Sequence, residues 1–303
     1  MAVRVGDVQL PNPIMTASGT SGHGDELGRY LDLGALGAVV VKSLSVEPWP
    51  GNPAPRVHET DGGMLNSVGL QNPGVHEWLE RELPPLLAAG ARVVGSIWGF
   101  RAEEYAKAAS TLASGPDGII AIEANLSCPN VEARRHVFAH SPGATAEAIT
   151  AAVESAHGRP VWAKLSPNVT DITEIAAAAL DAGAAALTLV NTLMGLAIDP
   201  ATRAPRLGAG GGGLSGPAIR PVAVRAIADC RAAFPEAPIV GVGGVARGEH
   251  AAELLVAGAD AVQVGTATFL DPRAPARVLA ELERWCRRHG VGHVRELKGS
   301  SHD

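Results

Sequence analysis

The chain has 303 residues, of which 46% are hydrophobic, 18% charged and only 4% aromatic, with 36 glycines. This composition is typical of a globular α/β protein with many tight turns, and it excludes a disordered or fibrous chain. A formal net charge of -6 and a pI near 5.9 indicate no basic surface for nucleic acid or an anionic membrane. The chain has no signal-peptide pattern, and no apolar run reaches the roughly 18 residues of a spanning helix, so we expect a cytoplasmic protein.

A short N-terminal segment is compatible with a hairpin formed by Val3–Val5 and Val8–Leu10. Eight apolar runs of strand length follow, and each precedes a helical stretch rich in Ala, Leu and Glu. Continuous β-branched runs without polar alternation are typical of parallel strands that are buried on both faces. The predicted strands are Ile14–Ala17, Ala38–Lys42, Arg92–Ile97, Gly118–Asn125, Val161–Leu165, Ala186–Val190, Ile239–Val242 and Ala261–Val264. Eight such units predict a (β/α)8 TIM barrel, and no linker or repeat divides residues 1–303 into more than one domain.

Helical spacing bounds five of the helices between these strands. They are Ala102–Ala113, Ala144–His157, Asp171–Ala182, Arg247–Ala257 and Pro275–Arg288. Three connections are longer than a barrel requires: Ser43–His76, Cys128–Pro142 and Asn191–Pro217. All three follow the carboxyl ends of strands, the face on which barrel enzymes carry their active sites, so we expect them to contribute to function.

Polar residues and glycines lie at the same strand ends. They are Lys42, Asn125, Cys128, Lys164, Asn191, Thr192, Gly243, Gly244, Gly265 and Thr266. Lysines at such positions either extend to solvent or face an anion, and the chain has only four lysines, which favours the second interpretation. The glycines in Val240-Gly-Val-Gly-Gly-Val and Val264-Gly-Thr-Ala either permit tight turns or bind a phosphate group. Their order after the last two strands favours the phosphate.

Three cysteines, Cys128, Cys230 and Cys286, are widely separated and form no Cys-x-x-Cys pair, so the sequence predicts neither a disulfide framework nor a metal or iron–sulfur site. Cys230 and Cys286 lie in predicted helices, where a thiol is usually an inert core residue. Cys128 stands instead at the start of a long loop, before a proline and between Asn125 and Asn130. In that position it can be an inert thiol, a nucleophile or a general base to a carbon acid.

Several motifs occur together, in order and over nearly the whole chain. They are Gly51-Asn-Pro-Ala-Pro-Arg, Gly63-Met-Leu-Asn-Ser-Val-Gly-Leu-Gln-Asn-Pro-Gly, Asn125-Leu-Ser-Cys-Pro-Asn, Lys164-Leu-Ser-Pro-Asn, Val190-Asn-Thr-Leu-Met-Gly, Gly213-Leu-Ser-Gly-Pro-Ala and Gly241-Val-Gly-Gly-Val. This series resembles the class 1 dihydroorotate dehydrogenases, and its spacing is most similar to the class 1B branch. The resemblance implies an FMN-containing barrel that oxidises dihydroorotate to orotate in pyrimidine synthesis.

The resemblance also implies a role for each matching residue. Cys128 would be the base that removes the C5 proton while hydride leaves C6 for flavin N5, with Lys42 and Asn125 beside it. The implied FMN-binding residues are Ser18, Lys42, Ser43, Ser96, Asn125, Lys164, Val190, Gly216, Gly243, Gly244, Gly265 and Thr266. The implied substrate-binding residues are Lys42, Asn66, Ser67, Val68, Gly69, Leu70, Asn125, Asn130, Asn191 and Thr192. A lysine near the N1–C2=O edge would stabilise the reduced flavin ring.

Two departures from the family pattern keep other interpretations open. Ser96 stands where class 1B chains usually have asparagine, and the loop after Asn130 carries Arg134 and Arg135 where the family tends to have a lysine and a glycine pair. The alternatives are an FMN oxidoreductase for another dihydropyrimidine, a non-redox lyase that uses Lys164 as a Schiff base, and a silent binding subunit. As a class 1B chain, it would need a partner with FAD and an iron–sulfur cluster to reach NAD, in a homodimer or heterotetramer; class 1A relatives use fumarate.

Overall fold

A computed structural model of the chain describes residues 1–127, 129–130 and 136–302, with only the backbone given at 129, 130, 136 and 137. In chain order the strands are β1 (Val3–Val5), β2 (Val8–Leu10), β3 (Ile14–Thr16), β4 (Val39–Val40), β5 (Val57–Thr60), β6 (Gly63–Asn66), β7 (Val93–Ile97), β8 (Ile119–Asn125), β9 (Pro129–Asn130), β10 (His136–Val137), β11 (Val161–Leu165), β12 (Ala186–Leu189), β13 (Leu193–Gly195), β14 (Gly212–Ser215), β15 (Ile239–Val242) and β16 (Ala261–Val264). The antiparallel pair β1 and β2 confirms the predicted N-terminal hairpin.

Eight of these strands form a parallel sheet in the order β3-β16-β15-β12-β11-β8-β7-β4. A parallel bridge between Met15 and Ala38 joins the two ends of the sheet and closes it into a barrel. Nearly all residues of these strands are buried, as expected for a sheet that is covered by helices outside and filled by side chains inside. The TIM-barrel prediction is therefore confirmed; that the chain is a single domain stays a prediction.

The α-helices surround this barrel. They are α1 (Val75–Glu77), which continues through a π-helical turn (Trp78–Glu82) into α2 (Leu83–Ala88), then α3 (Ala102–Ala113), α4 (Pro142–Ser155), α5 (Ile172–Asp181), α6 (Arg220–Ala233), α7 (Gly248–Ala257), α8 (Ala267–Leu270) and α9 (Ala274–Arg288). The five helices bounded from the sequence are confirmed to within two residues at each end. The Asp171 side chain caps α5, because its carboxylate accepts a hydrogen bond of 2.8 Å from the Thr173 backbone N–H.

The first strand is not followed by an α-helix, contrary to the prediction that every strand precedes one. Residues 17–38 contain instead two short 3-10 turns, Glu26–Arg29 and Leu33–Ala35. Glycines recur through this connection, and each glycine in a helix interior costs about 1 kcal/mol relative to alanine. The connection is therefore made of turns and not of an α-helix.

A second sheet, which the sequence did not predict, lies at the carboxyl ends of the barrel strands. It is antiparallel, with the order β13-β14-β6-β5, and it is built from the two long connections after the second and sixth barrel strands. Its strands are short, and β14 reads Gly-Gly-Leu-Ser, which lacks the alternation of apolar and polar residues that marks a half-buried strand. This sheet covers one side of the barrel mouth.

Among the described residues, no helix is both long enough and apolar enough to cross a membrane. The largest fully buried side chains include Trp78, Trp98 and Trp162. Trp78 and Trp162, together with the aliphatic residues of the barrel strands and the inner faces of the helices, fill the interior of the protein.

Gly248 permits a close approach of two helices and provides a test of the packing. A Cβ added at Gly248 would lie 2.3 Å from the Leu282 backbone nitrogen of α9. We expect Gly248→Ala to lower the free energy of unfolding by about 1–3 kcal/mol, the usual cost of overpacking. Gly143→Ala is the matched control, because it is an exposed helical glycine whose nearest neighbouring atom would be 3.9 Å away. Urea denaturation measures both, and an equal stability of the two variants would contradict the prediction.

Candidate functional site

One cavity of about 300 Å³ lies between the carboxyl ends of the barrel strands and the antiparallel sheet. Most of the residues predicted for the cofactor and the substrate line it together. They are Ser18, Lys42, Ser43, Asn66, Ser67, Val68, Gly69, Leu70, Asn125, Lys164, Val190, Asn191, Thr192, Gly216, Gly243, Gly244, Gly265 and Thr266. This volume is at the lower end of the range for small-molecule sites, and the lining combines apolar walls with convergent polar groups.

Ser43 and Asn125 form the centre of a hydrogen-bond network at one side of the cavity. The Ser43 hydroxyl lies 3.2 Å from that of Ser18 and accepts a hydrogen bond of 3.2 Å from Asn125 Nδ2. Asn125 Oδ1 accepts a hydrogen bond of 3.0 Å from Asn191 Nδ2. These contacts orient the amides of two strand ends toward the same space without placing a charge there.

Ser96 lies behind this network and not on the cavity wall. Its side chain is fully buried, and its hydroxyl is 2.9 Å from the Ser43 hydroxyl. Ser96 therefore orients Ser43, which does line the cavity. Direct contact of Ser96 with a cofactor stays a prediction.

Glycines form the opposite end of the cavity. Gly216, Gly243 and Gly244 have φ values of 103°, 143° and 70°, which residues with a side chain rarely adopt. A Cβ at Gly244 would lie 2.6 Å from the Cβ of Arg220. Beside them, the Thr266 hydroxyl donates a hydrogen bond of 2.8 Å to the Ser215 hydroxyl. Backbone that carries no side chains, together with two hydroxyls at one end of a cavity, suits a group with several acceptor oxygens, such as a phosphate.

Both predicted lysines reach the cavity, and Lys164 has a buried partner. Lys164 Nζ is 3.3 Å from Glu123 Oε1, and Gln263 Nε2 donates a hydrogen bond of 2.7 Å to Glu123 Oε2. The Glu123 side chain is fully buried, whereas that of Lys164 is 7% exposed. The ammonium therefore separates the carboxylate from the cavity.

Sequence reasoning missed Glu123 and Gln263 as parts of this site. Both lie inside strands that are otherwise apolar, in Ile119–Asn125 and Ala261–Val264. A charged or amide side chain in the middle of such a strand was the available signal, because a charged residue is rarely fully buried unless it is paired.

Lys42 lies against the turn that follows the first barrel strand. A Cβ at Gly19, where φ is 86°, would lie 3.2 Å from Lys42 Nζ, so this turn needs glycine for two reasons. The pKa of the nearby His23 imidazole is lowered, first by burial and then by the positive charge of Lys42. His23 should therefore be neutral at pH 7, which keeps a further cation away from this side of the cavity.

The connection between β6 and α1 supplies the remaining wall. Asn66 Nδ2 donates a hydrogen bond of 3.3 Å to the Gly213 carbonyl, which ties this segment to the antiparallel sheet. The Ser67 and Ser127 hydroxyls both line the cavity, and both are buried without a hydrogen-bond partner among the described residues. Buried polar atoms are nearly always satisfied in native proteins, so these two hydroxyls indicate a bound ligand or ordered water.

Four residues that the sequence analysis singled out cannot be placed in this geometry. Cys128 lies outside the described residues, as do Arg134 and Arg135, and only the backbone of Asn130 is described. Ser127, directly before the cysteine, lines the cavity. The Asn130 backbone pairs with that of His136, so the two ends of the intervening segment are held side by side.

The other two thiols are confirmed as buried helical residues. Burial raises the pKa of the Cys230 thiol to about 12, and it also raises the pKa of Cys286. Neither thiol is ionised at neutral pH, so neither is a reactive nucleophile.

The cavity has further lining residues that sequence reasoning did not select. They are Ala17, Gly19, Thr20, Val57, Met64, Ser127, Gly213, Ser215, Ile219, Val242 and Phe269. Several are apolar and come from the antiparallel sheet or from turns that carry no chemical signature. In the part of the chain that the structure describes, no cluster of three or more His, Cys, Asp or Glu side chains could hold a metal ion.

Comparison with known proteins agrees with the motif series. A family model described as dihydroorotate dehydrogenase matches residues 1–285. A relative from Geobacter sp. (strain M21), named dihydroorotate dehydrogenase B (NAD(+)), catalytic subunit, is 46% identical over 99% of this chain and 97% of its own length. A relative of the same name from Desulforudis audaxviator is 48% identical over 99% of this chain and 97% of its own length. A relative from Solibacter usitatus is 46% identical over 99% of this chain and 98% of its own length. It is provisionally named dihydroorotate dehydrogenase A (fumarate).

Proposed function

The chain belongs to the dihydroorotate dehydrogenase family of oxidoreductases, and we propose that it oxidises dihydroorotate to orotate in pyrimidine synthesis with FMN as its cofactor. One observation carries the proposal: a single cavity gathers the glycine end, the two lysines and the asparagine amides. These groups match an elongated ligand with a phosphate at one end and a polar ring at the other, next to a second ring with amide edges.

The residues at the site fit FMN at both ends. Gly243, Gly244 and Thr266 would hold its phosphate, because substituted residues could not follow the same backbone path or approach as closely. Lys164 would face the pyrimidine edge of the flavin ring, where positive charge stabilises added electron density. FMN bound in this way would supply the acceptor for the hydride that leaves C6 of the substrate.

The chain's own residues would then orient the substrate and take its proton. Asn66, Asn125 and Asn191 would hydrogen-bond the amide edges of the dihydropyrimidine ring, and Lys42 would pair with its carboxylate. The proposed base is Cys128, whose thiol would remove the proton from C5. The support for this role is its position next to Ser127, which lines the cavity, together with the family resemblance.

The final electron acceptor requires a partner. Relatives named as catalytic subunits of the NAD(+) type imply a separate electron-transfer subunit, and we propose that this chain uses one that carries FAD and an iron–sulfur cluster. Its three separated cysteines cannot supply such a cluster. A homodimer or a heterotetramer with that partner is the expected assembly.

The Schiff-base alternative has less support. A lysine that forms a Schiff base must present a neutral amine to the substrate carbonyl. Lys164 Nζ is instead engaged by the Glu123 carboxylate at 3.3 Å. An oxidoreductase for another dihydropyrimidine remains the second candidate, because Ser96 differs from the asparagine that class 1B chains usually have.

Anaerobic reduction tests the substrate directly. Purified protein should contain FMN, and dihydroorotate should abolish the visible absorbance of the bound flavin in the absence of oxygen. Dihydrouracil and dihydrothymine, which lack the carboxylate, are the comparison substrates and should react far more slowly. A colourless protein would count against FMN, and flavin-loaded protein that only another dihydropyrimidine reduces would establish the second candidate.

Replacement of the proposed base should slow the same reaction. We expect Cys128→Ala to retain FMN but to be reduced at least ~100-fold more slowly, the usual scale for the loss of a general base. Cys286→Ala, which removes a buried thiol of α9, is the matched control and should react as the unmodified protein does. Stopped-flow absorbance measures all three, and an unchanged rate for Cys128→Ala would place the base elsewhere.

Removal of one hydroxyl should separate phosphate binding from flavin binding. Thr266→Val should weaken FMN binding by about 10- to 100-fold. The Thr266 hydroxyl would turn from Ser215 to donate to the phosphate, and a hydrogen bond to a charged group contributes about 1.5–3 kcal/mol. Riboflavin, which lacks the phosphate, should bind the variant and the unmodified protein equally well. Thr111→Val, at a position on α3 outside the cavity, controls for the substitution itself. An equal loss for FMN and riboflavin would show that Thr266 does not contact the phosphate.

A further inference from the structure

The fully buried carboxylate of Glu123 has no role in the chemistry described so far. It lies inside the barrel, where Lys164 Nζ is 3.3 Å from one of its oxygens and Gln263 Nε2 is 2.7 Å from the other. Three strands, β8, β11 and β16, therefore contribute one member each to a polar group below the cavity.

Stability is a weak reason for this arrangement. Removing two charges from water costs several kcal/mol per ion, and a buried ion pair often stabilises a protein no better than apolar residues of the same volume. A pair that contributes little to folding, yet lies directly below a binding cavity, suggests a role in the cavity itself.

The order of the three residues indicates what that role is. Lys164 lines the cavity and Glu123 does not, so any ligand above Lys164 meets the ammonium first and the carboxylate behind it. The carboxylate restrains the ammonium from moving further toward the ligand. It also offsets part of its positive charge, and it does so inside the protein, where charges are screened much less than at the surface.

We propose that Glu123 is a positioning residue for Lys164, and that it lowers the reduction potential of the flavin above them by holding back and partly offsetting the lysine charge. The inference rests on the proposed function, because it needs a flavin in this cavity. A positive charge near the flavin ring favours the reduced form, and the carboxylate weakens that effect. The bound flavin is then a stronger electron donor, which suits onward transfer to an acceptor of low potential such as a nicotinamide.

The test is the two-electron reduction potential of bound FMN in the full chain, measured at fixed pH against a dye of known potential. We expect Glu123→Gln to shift the potential to more positive values, because the amide has nearly the same shape but no charge. Glu123→Asp retains the charge and should stay closer to the unmodified protein than Glu123→Gln does. Glu147→Gln removes an exposed carboxylate on α4 and should cause no shift, because surface charges are screened.

A second variant keeps the inference testable if Glu123→Gln fails to fold or to hold flavin. Gln263→Met removes the 2.7 Å hydrogen bond to Glu123 but leaves both charges in place. The carboxylate then acts more strongly on Lys164, so the potential should shift in the opposite direction, to more negative values. A variant that merely loosened the packing would not produce shifts of opposite sign.

The outcomes separate this inference from the proposed function. If the unmodified protein binds FMN and dihydroorotate reduces it, but neither Glu123→Gln nor Gln263→Met moves the potential in its stated direction, the role of Glu123 is wrong and the proposed function stands. If the unmodified protein holds no flavin, the proposed function fails first.

Discussion

Closure of the barrel between β3 and β4 is the constraint on which the site depends. The two chain segments approach each other closely at this point. The Gly37 N–H donates a hydrogen bond of 2.7 Å to the Ile14 carbonyl, and a Cβ at Gly37 would lie 2.5 Å from the Asn12 carbonyl oxygen. The Thr16 hydroxyl, which accepts a hydrogen bond of 2.9 Å from the Val40 backbone, ties the same two strands together from the side-chain layer. Closure brings the segments after β3 and β4 together, so that residues far apart in sequence meet at one wall of the cavity.

Inside the closed barrel, the buried charge of Glu123 has an oppositely charged partner. The interior strands are apolar except for a few positions, and at the most costly of these the Glu123 carboxylate has a cation on one oxygen and an amide donor on the other. A lone carboxylate at the same depth would cost far more than the barrel could recover from neighbouring contacts. The two lysines at the cavity therefore differ in their surroundings: Lys164 stands above a buried anion, whereas Lys42 lies against a glycine turn and beside a His23 imidazole of lowered pKa.

Much of this arrangement could be predicted from the sequence, and the exceptions share a physical cause. Strands buried on both faces are continuous apolar runs, so their number and order could be predicted. Barrel enzymes carry their active sites at the carboxyl ends of the strands, which predicted that polar residues such as Asn125 and Lys164 lie at one end. The antiparallel sheet could not be predicted, because glycine-rich strands such as β14 show no alternation of apolar and polar residues. They are stabilised by their partner strands in the sheet. Glu123 stands out in the sequence as a charge inside an apolar strand, but its partners could not be identified, because they lie 41 and 140 positions away along the chain.

The thiols show why position outweighs residue type in such a site. Cys230 and Cys286 have the same chemistry as Cys128, yet they are buried residues of helices, and burial raises the pKa of Cys230 to about 12. At neutral pH that thiol has almost no thiolate and no route to a substrate, so it can serve neither as base nor as nucleophile. Cys128 follows Ser127, a residue on the cavity wall, and two positions later the backbone of Asn130 pairs with that of His136. A base supplied from such a segment need not occupy the barrel interior. In the proposed mechanism the proton is removed from the loop side by Cys128, which leaves the barrel interior for the paired charges of Glu123 and Lys164.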